Sequence, residues 1–187
     1  MKFKIFAIFL FAVVTVNTAF SQKQYTVAFY NVENLFDTIN DKKKNDEEFL
    51  PLAENKWDSE KYANKLLHLS KVISELGSDD GPDVIGLCEI ENRRVLMDLV
   101  KTPLLQRKGY EIVHYESPDM RGIDVALFYK KSLFTFIDSK KYKVKLPDKK
   151  RSATRDILMV QLLNWKPSSS NSTARYRSSP QALSSVP

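Results

Sequence analysis

The 187-residue chain is 43% hydrophobic and carries a formal net charge of +6, enough apolar material for one domain core and no demand for a second. That modest basic excess is compatible with an anionic substrate, yet it is also common in proteins that touch no nucleic acid, so charge alone assigns no partner. A single cysteine, Cys88, excludes an intramolecular disulfide and a multi-cysteine metal site.

Residues 1–21 have the build of a secretory signal peptide: Lys2 and Lys4, an apolar stretch from Ile5 to Val16, then small residues Ala19 and Ser21 ahead of cleavage before Gln22. The stretch is short for a membrane span, and export to a periplasmic or extracellular space is the expectation. Thr26 to Tyr30 are strand formers, and Asn31 to Asp37 (NVENLFD) read as the strand's polar exit. Thr38 to Trp57 is charged and aperiodic and is expected to form a loop over the site.

The clearest helix follows, capped by Asp58 or Ser59, with Tyr62, Leu66, Leu69, Ile73 and Leu76 on one face and Gly77 closing it. His68 lies off that stripe and reads as an exposed helix residue. The turn SDDGPD returns the chain to a strand, Val84 to Cys88, whose continuous apolar run predicts burial on both faces and parallel pairing with the first strand. Glu89 and Glu91 are then expected in a strand-to-helix turn, with Asn92 capping a helix that buries Val95, Leu96, Leu99 and Val100 and stops before Pro103.

YEIVHYES and IDVALFYKK are expected to pair as a hairpin across a loop holding Asp119, Arg121 and Asp124. Leu133 to Ile137, Tyr142 to Leu146 and Ile157 to Leu163 are further strand candidates in what reads as a β meander. The basic runs at Asp41 to Asn45 and Lys140 to Arg151 read as solvated faces. From residue 166 the chain is rich in serine and loses apolar periodicity, the composition of a disordered tail. The expected organisation is therefore a leader at 1–21, a domain at 22–165 and a tail at 166–187.

Both strands that open the domain end in oxygen-bearing side chains, and the carboxyl ends of strands in open α/β sheets border the ligand crevice. Asn31, Glu33, Glu89 and Glu91 are thus expected to converge. Such a donor set suits a hard divalent cation, Mg²⁺ or Mn²⁺. Cys88, inside the apolar run with no base motif beside it, reads as a buried structural thiol.

Four segments, YNVENLFD, DVIGLCEIENR, HYESPDMRGIDVALFY and RSATRDILMV, occur in an order and spacing that resembles the endonuclease/exonuclease/phosphatase superfamily, in particular its exported bacterial members. The resemblance spans about Tyr25 to Leu163. It implies an α/β fold, a four-layered sandwich in which two mixed sheets face each other with helices outside, of which this chain would hold the N-terminal part with the second half largely missing. Carried over by position, it implies that Asn31 and Glu89 are catalytic, that Glu33 and Glu89 bind Mg²⁺ or Mn²⁺, and that Arg121 and Arg155 contact substrate. Asp124 would orient Arg121 or serve a structural pairing.

The substrate implied is a phosphate ester: nucleic acid, nucleotide or phospholipid head group. The family's later Asp-x-Asn and Asp-His motifs are absent; the histidines are His68 and His114, and neither follows an Asp. His114 is expected to be a packed or edge histidine of its strand. The expectation is a metal-dependent phosphoesterase, inactive or impaired as a truncated chain. The alternative is an exported non-enzymatic protein binding an anionic partner on a half-scaffold. If Asn31 and Glu89 lay on opposite rims, the acidic strand ends would be mere soluble termini.

Overall fold

The structure, a computed structural model, describes residues 23–77, 79–145 and 153–164. The expected leader, the serine-rich tail and part of the Lys140 to Arg151 run lie outside the described residues. Strand β1 (Val27–Leu35) leads through a long loop to helix α1 (Ser59–Glu75), then strand β2 (Val84–Ile90) and helix α2 (Arg93–Val100). Strands β3 (Tyr110–His114), β4 (Asp124–Lys130), β5 (Thr135–Tyr142) and β6 (Ile157–Leu163) follow.

The strand, helix, strand order gives the parallel pairing expected of it: β1 and β2 run parallel, with Val27 opposite Val84 and Asn31 opposite Cys88. Strand β4 is antiparallel to β2, and β3 to β4, so the sheet is mixed and ordered β1-β2-β4-β3. The expected β3 and β4 hairpin is present, with β4 also pairing β2; the meander reading is corrected beyond it, because β5 does not join β4 and pairs with β6 instead. The second sheet is the antiparallel pair β5 and β6. One strand runs from Thr135 to Tyr142 and takes in most of the first short candidate; of the Tyr142 to Leu146 candidate only Tyr142 is in it, residues 143–145 are not, and Leu146 lies outside the described residues.

Burial explains the layering. Leu66, Leu69 and Ile73 of α1 and Val95, Leu96 and Leu99 of α2 pack on Ile85, Leu87, Ile90, Ala126 and Phe128, one face of the mixed sheet. Each such side chain, fully buried, contributes about 1.5–3 kcal/mol. On the opposite face Val84, Val113 and Tyr129 meet Leu158, Val160 and Leu162 of β6. Helices, mixed sheet and second sheet therefore stack as three layers. Among the described residues no helix is long and apolar enough to cross a membrane.

The helix ends carry the signals their sequence promised. Asp58 accepts the Lys61 N–H at 2.9 Å, and Gly77 follows the last turn with φ +79°. Asn92 accepts the Val95 N–H at 3.1 Å and also donates to Asp37 Oδ2 at 3.3 Å. Asn92→Ala should therefore lower the free energy of unfolding by about 1–2 kcal/mol in urea titration. A change below about 0.3 kcal/mol would show that the cap carries no weight.

Two local features fasten the fold. Lys130, whose side chain is 4% exposed, donates to Asp80 Oδ2 at 2.8 Å, to the Gly81 carbonyl at 3.0 Å and to Asp83 Oδ1 at 3.2 Å. The long loop, expected as such and containing only a short 3-10 turn at Glu47–Phe49, is pinned by an aromatic stack. Phe36 lies flat on Phe49 with centroids 4.0 Å apart, Trp57 meets Phe49 edge-on, and the Trp57 indole N–H donates to the Phe36 carbonyl at 3.1 Å.

Strand β1 is an edge of its sheet, and the second sheet does not cover it. Val27 and Phe29 are 72% and 71% exposed, and Ile157 beside them 60%. The Phe29 ring lies over Gly86, in space that any β-carbon there would fill. Such a contiguous apolar surface is unusual on a soluble monomer. The native protein should bind a hydrophobic dye, and Phe29→Ser should cut the signal at least twofold without loss of stability; a dye that stays dark would contradict it.

Candidate active site

Strand β1 does not stop where its sequence turns polar. It continues through Asn31 to Leu35, with a register irregularity against β2 between Asn31 and Leu35. Glu33 and Asn34 take left-handed backbone angles, φ 54° and 63°, and on β2 so does Glu89, φ 66°. Glu89 is thus a strand residue at a bulge rather than part of the turn, because β2 extends to Ile90. Left-handed φ at residues with a β-carbon costs energy, and three of them at two neighbouring strand ends mark a strained rim of the kind that accompanies function.

Of the four residues expected to converge, that rim brings the side chains of Asn31 and Glu89 together, with Arg155 beside them. Asn31 Nδ2 donates to Glu89 Oε1 at 3.0 Å, and the Glu33 N–H donates to Asn31 Oδ1 at 2.9 Å, so the Asn31 amide is fixed at both ends. Arg155, just before β6, places Nη1 3.9 Å from the same Glu89 oxygen. The Glu89 side chain remains 21% exposed and the Arg155 side chain 28%, open to a ligand. Arg121 is held by Asp119 through Nε at 3.0 Å and Nη2 at 2.7 Å, while 61% of its side chain faces solvent. The Glu89 carboxylate acts on Arg121 and the Arg155 guanidinium on Asp119, so these charges form one field. Burial alone would raise the Asp119 carboxyl, but the Arg121 bonds hold it below its ordinary value.

Other residues go elsewhere. Glu33 has an exposed side chain, and its carbonyl accepts Lys65 Nζ at 3.1 Å. Glu91 turns inward, 7% exposed, and accepts the Asp37 N–H at 2.6 Å in place of joining Glu89. Burial first, then the carboxylates of Asp37 and Asp46, push its pKa up to about 7. Asp124 does not orient Arg121: it accepts the Ser117 N–H at 2.8 Å and pairs with His114 Nε2 at 3.0 Å, leaving Arg121 to Asp119. His114 ends β3 rather than sitting within it, and its side chain is 3% exposed, a packed histidine as expected. His68 is exposed on α1. Cys88 is buried, and that burial raises its thiol pKa, with Arg155 opposing the rise.

The sequence reading missed a cleft of about 470 Å³ beside this rim, whose lining includes Asp37, Lys44, Glu91, Arg94 and Glu116. Its walls come from the loop after β1, the start of α2 and the loop between β3 and β4. Lys44 fastens them by donating to the Ser117 and Asp119 carbonyls at 3.0 and 2.9 Å. The only linear signal was Asp and Glu beside a helix cap.

A hydrated Mg²⁺ or Mn²⁺ ion fits the chemistry of the Glu89 rim. The donors are oxygens, the carboxylate is pre-oriented by Asn31, and the rim is open enough for an ion that retains water.

A family model described as "Endonuclease/Exonuclease/phosphatase family" matches residues 26–164. No curated protein matches the chain. Among solved structures, ANGEL2, a 2′,3′-cyclic phosphatase, in complex with adenosine-2′,3′-vanadate is 15% identical with a TM-score of 0.45, the match covering 77% of this chain and 38% of that one. The human Nocturnin catalytic domain with bound sulfate anion is 19% identical with a TM-score of 0.32, covering 54% of this chain and 34% of that one. The chain thus spans little more than a third of the length of these structures.

Proposed function

The chain belongs to the endonuclease/exonuclease/phosphatase family, and from that membership we propose a metal-dependent phosphoesterase whose reaction takes place at the Glu89 rim. The observation that carries the reading is the Glu89 carboxylate, held by Asn31 at 3.0 Å and faced by Arg155 at 3.9 Å on a left-handed backbone. Asn31 and Glu89 are the proposed catalytic pair, with Glu33, two residues beyond Asn31, as the second carboxylate toward Mg²⁺ or Mn²⁺. Bound there, the ion would neutralise charge on the phosphoryl oxygens and leaving oxygen.

The chain's own residues supply the rest. Arg121, half-neutralised by Asp119, and Arg155 present guanidinium N–H groups to a phosphate diester or monoester, which fixes its orientation by paired bonds. Asn31 keeps the Glu89 carboxylate from rotating. No histidine stands at this rim among the described residues, so a poor leaving group lacks an imidazole to protonate it, a deficit of about 10²–10⁴ in rate. The substrate class is a phosphate ester such as a nucleotide, nucleic acid or lipid head group, and the enzyme is proposed to act after export.

An activated diester separates binding from proton donation, because p-nitrophenolate departs without a proton. With Mg²⁺ or Mn²⁺ the protein should hydrolyse bis(p-nitrophenyl) phosphate, stop on chelation, and turn over an unactivated dinucleotide about 10²–10⁴ slower. Absence of metal-dependent release from the activated ester would overturn the enzyme reading in favour of an anion-binding protein.

A further inference from the structure

We infer that the protein holds a second divalent-cation site, made by His114, Glu116 and Asp124, that prefers a transition ion such as Zn²⁺ over Mg²⁺. Each residue offers one ligand atom, and these atoms all lie within 4.8 Å of one another. The site is separate from the Glu89 rim in donor chemistry: it adds an imidazole nitrogen to two carboxylates. Mixed nitrogen and oxygen donors favour zinc and its first-row neighbours, whereas Mg²⁺ takes oxygen donors.

The hairpin register builds it. His114 pairs with Ala126, which sets Asp124 two residues beyond on the neighbouring strand and on the same face. Glu116 follows His114 by two. Asp124 is 1% exposed and has its other oxygen fixed by the Ser117 N–H, the kind of outer bond that orients a ligating carboxylate. His114 Nε2 stands 3.0 Å from Asp124 Oδ2. Two ligands about 2.1 Å from one ion sit about 3.0–3.4 Å apart at octahedral or tetrahedral angles, so this pair already has ligand spacing, and the exposed Glu116 side chain completes the set by a small rotation.

Access and charge agree. Glu116 is exposed and lines the cleft described above, which gives an ion a path in and leaves positions for water. The two carboxylates supply the negative charge that a divalent ion cancels. Lys44 also faces Glu116, but its ammonium is bonded to the Ser117 and Asp119 carbonyls.

Calorimetric titration of the full chain with ZnCl₂ and with MgCl₂, read alongside the visible spectrum of the Co²⁺ form, tests this. Zn²⁺ should bind at least tenfold tighter than Mg²⁺. Glu116→Gln, an exposed change that spares the fold, and His114→Gln should each weaken Zn²⁺ at least tenfold and alter the Co²⁺ bands. Glu89→Gln should leave both readouts intact, which separates this site from the proposed active rim. Zn²⁺ binding no tighter than Mg²⁺, binding unchanged in Glu116→Gln, or binding lost only in Glu89→Gln would each overturn it.

Discussion

Glu89→Gln should reduce metal-dependent hydrolysis of the activated diester by about 10²–10³-fold while leaving the fold in place. The amide keeps the side chain's shape and can still accept from Asn31 Nδ2, so the hydrogen bond that positions it survives. What disappears is the negative charge that faces Arg155 and that a cation requires. The backbone is also unchanged, since Gln and Glu face the same left-handed cost. Unfolding in urea should shift by no more than about 0.5 kcal/mol, as expected for a partly exposed site. Glu33→Gln, on an exposed side chain, should cost about tenfold if it supplies the second carboxylate. Activity in Glu89→Gln equal to that of the parent would remove the rim from the chemistry.

The largest effect on stability belongs to Asp83→Ala, expected to cost about 3–5 kcal/mol. Asp83 Oδ1 faces the buried Lys130 ammonium and Oδ2 accepts the Thr26 N–H at 2.9 Å, so one carboxylate ties the start of β1 to the end of β4. Removal leaves a charge whose side chain is 4% exposed short of a partner and frees a backbone donor. Asp80→Ala should matter far less, because Asp80 is 73% exposed and solvent screens its bond to the same ammonium. The Lys130 hydrogen bond nevertheless lowers the Asp80 carboxyl from its ordinary 3.8. Its contribution is therefore complete above that value and fades as acid takes the pH through the lowered one. An unfolding free energy of Asp83→Ala, from denaturant titration, within about 1 kcal/mol of the parent would refute the anchoring role.

Periodicity and end signals carried most of the architecture. The α1 stripe from Tyr62 to Leu76, the caps at Asp58 and Asn92 and the apolar run of β2 are local features, and local features were readable. So was the meeting of Asn31 with Glu89, since parallel pairing of two strands with polar ends requires it. Strand boundaries at the rim were not legible, because bulges let Asn31 to Leu35 remain paired despite polar letters. Strand order was equally hidden: nothing in Asp124 to Lys130 states that it inserts beside β2. The partners of Arg121 and Asp124 depended on that order. Once the hairpin register is set, Asp124 faces His114 across the strands, and Arg121 falls to the nearer Asp119.

The ring stack beneath the long loop gives the molecule an internal clock. Trp57 meets Phe49 edge-on and donates to the Phe36 carbonyl, so its indole emission should change when that loop seats on the end of β1. With Trp165 replaced by Phe, Trp57 becomes the sole emitter. Rapid-mixing traces would then time loop arrival separately from the backbone dichroism of the strands beneath it.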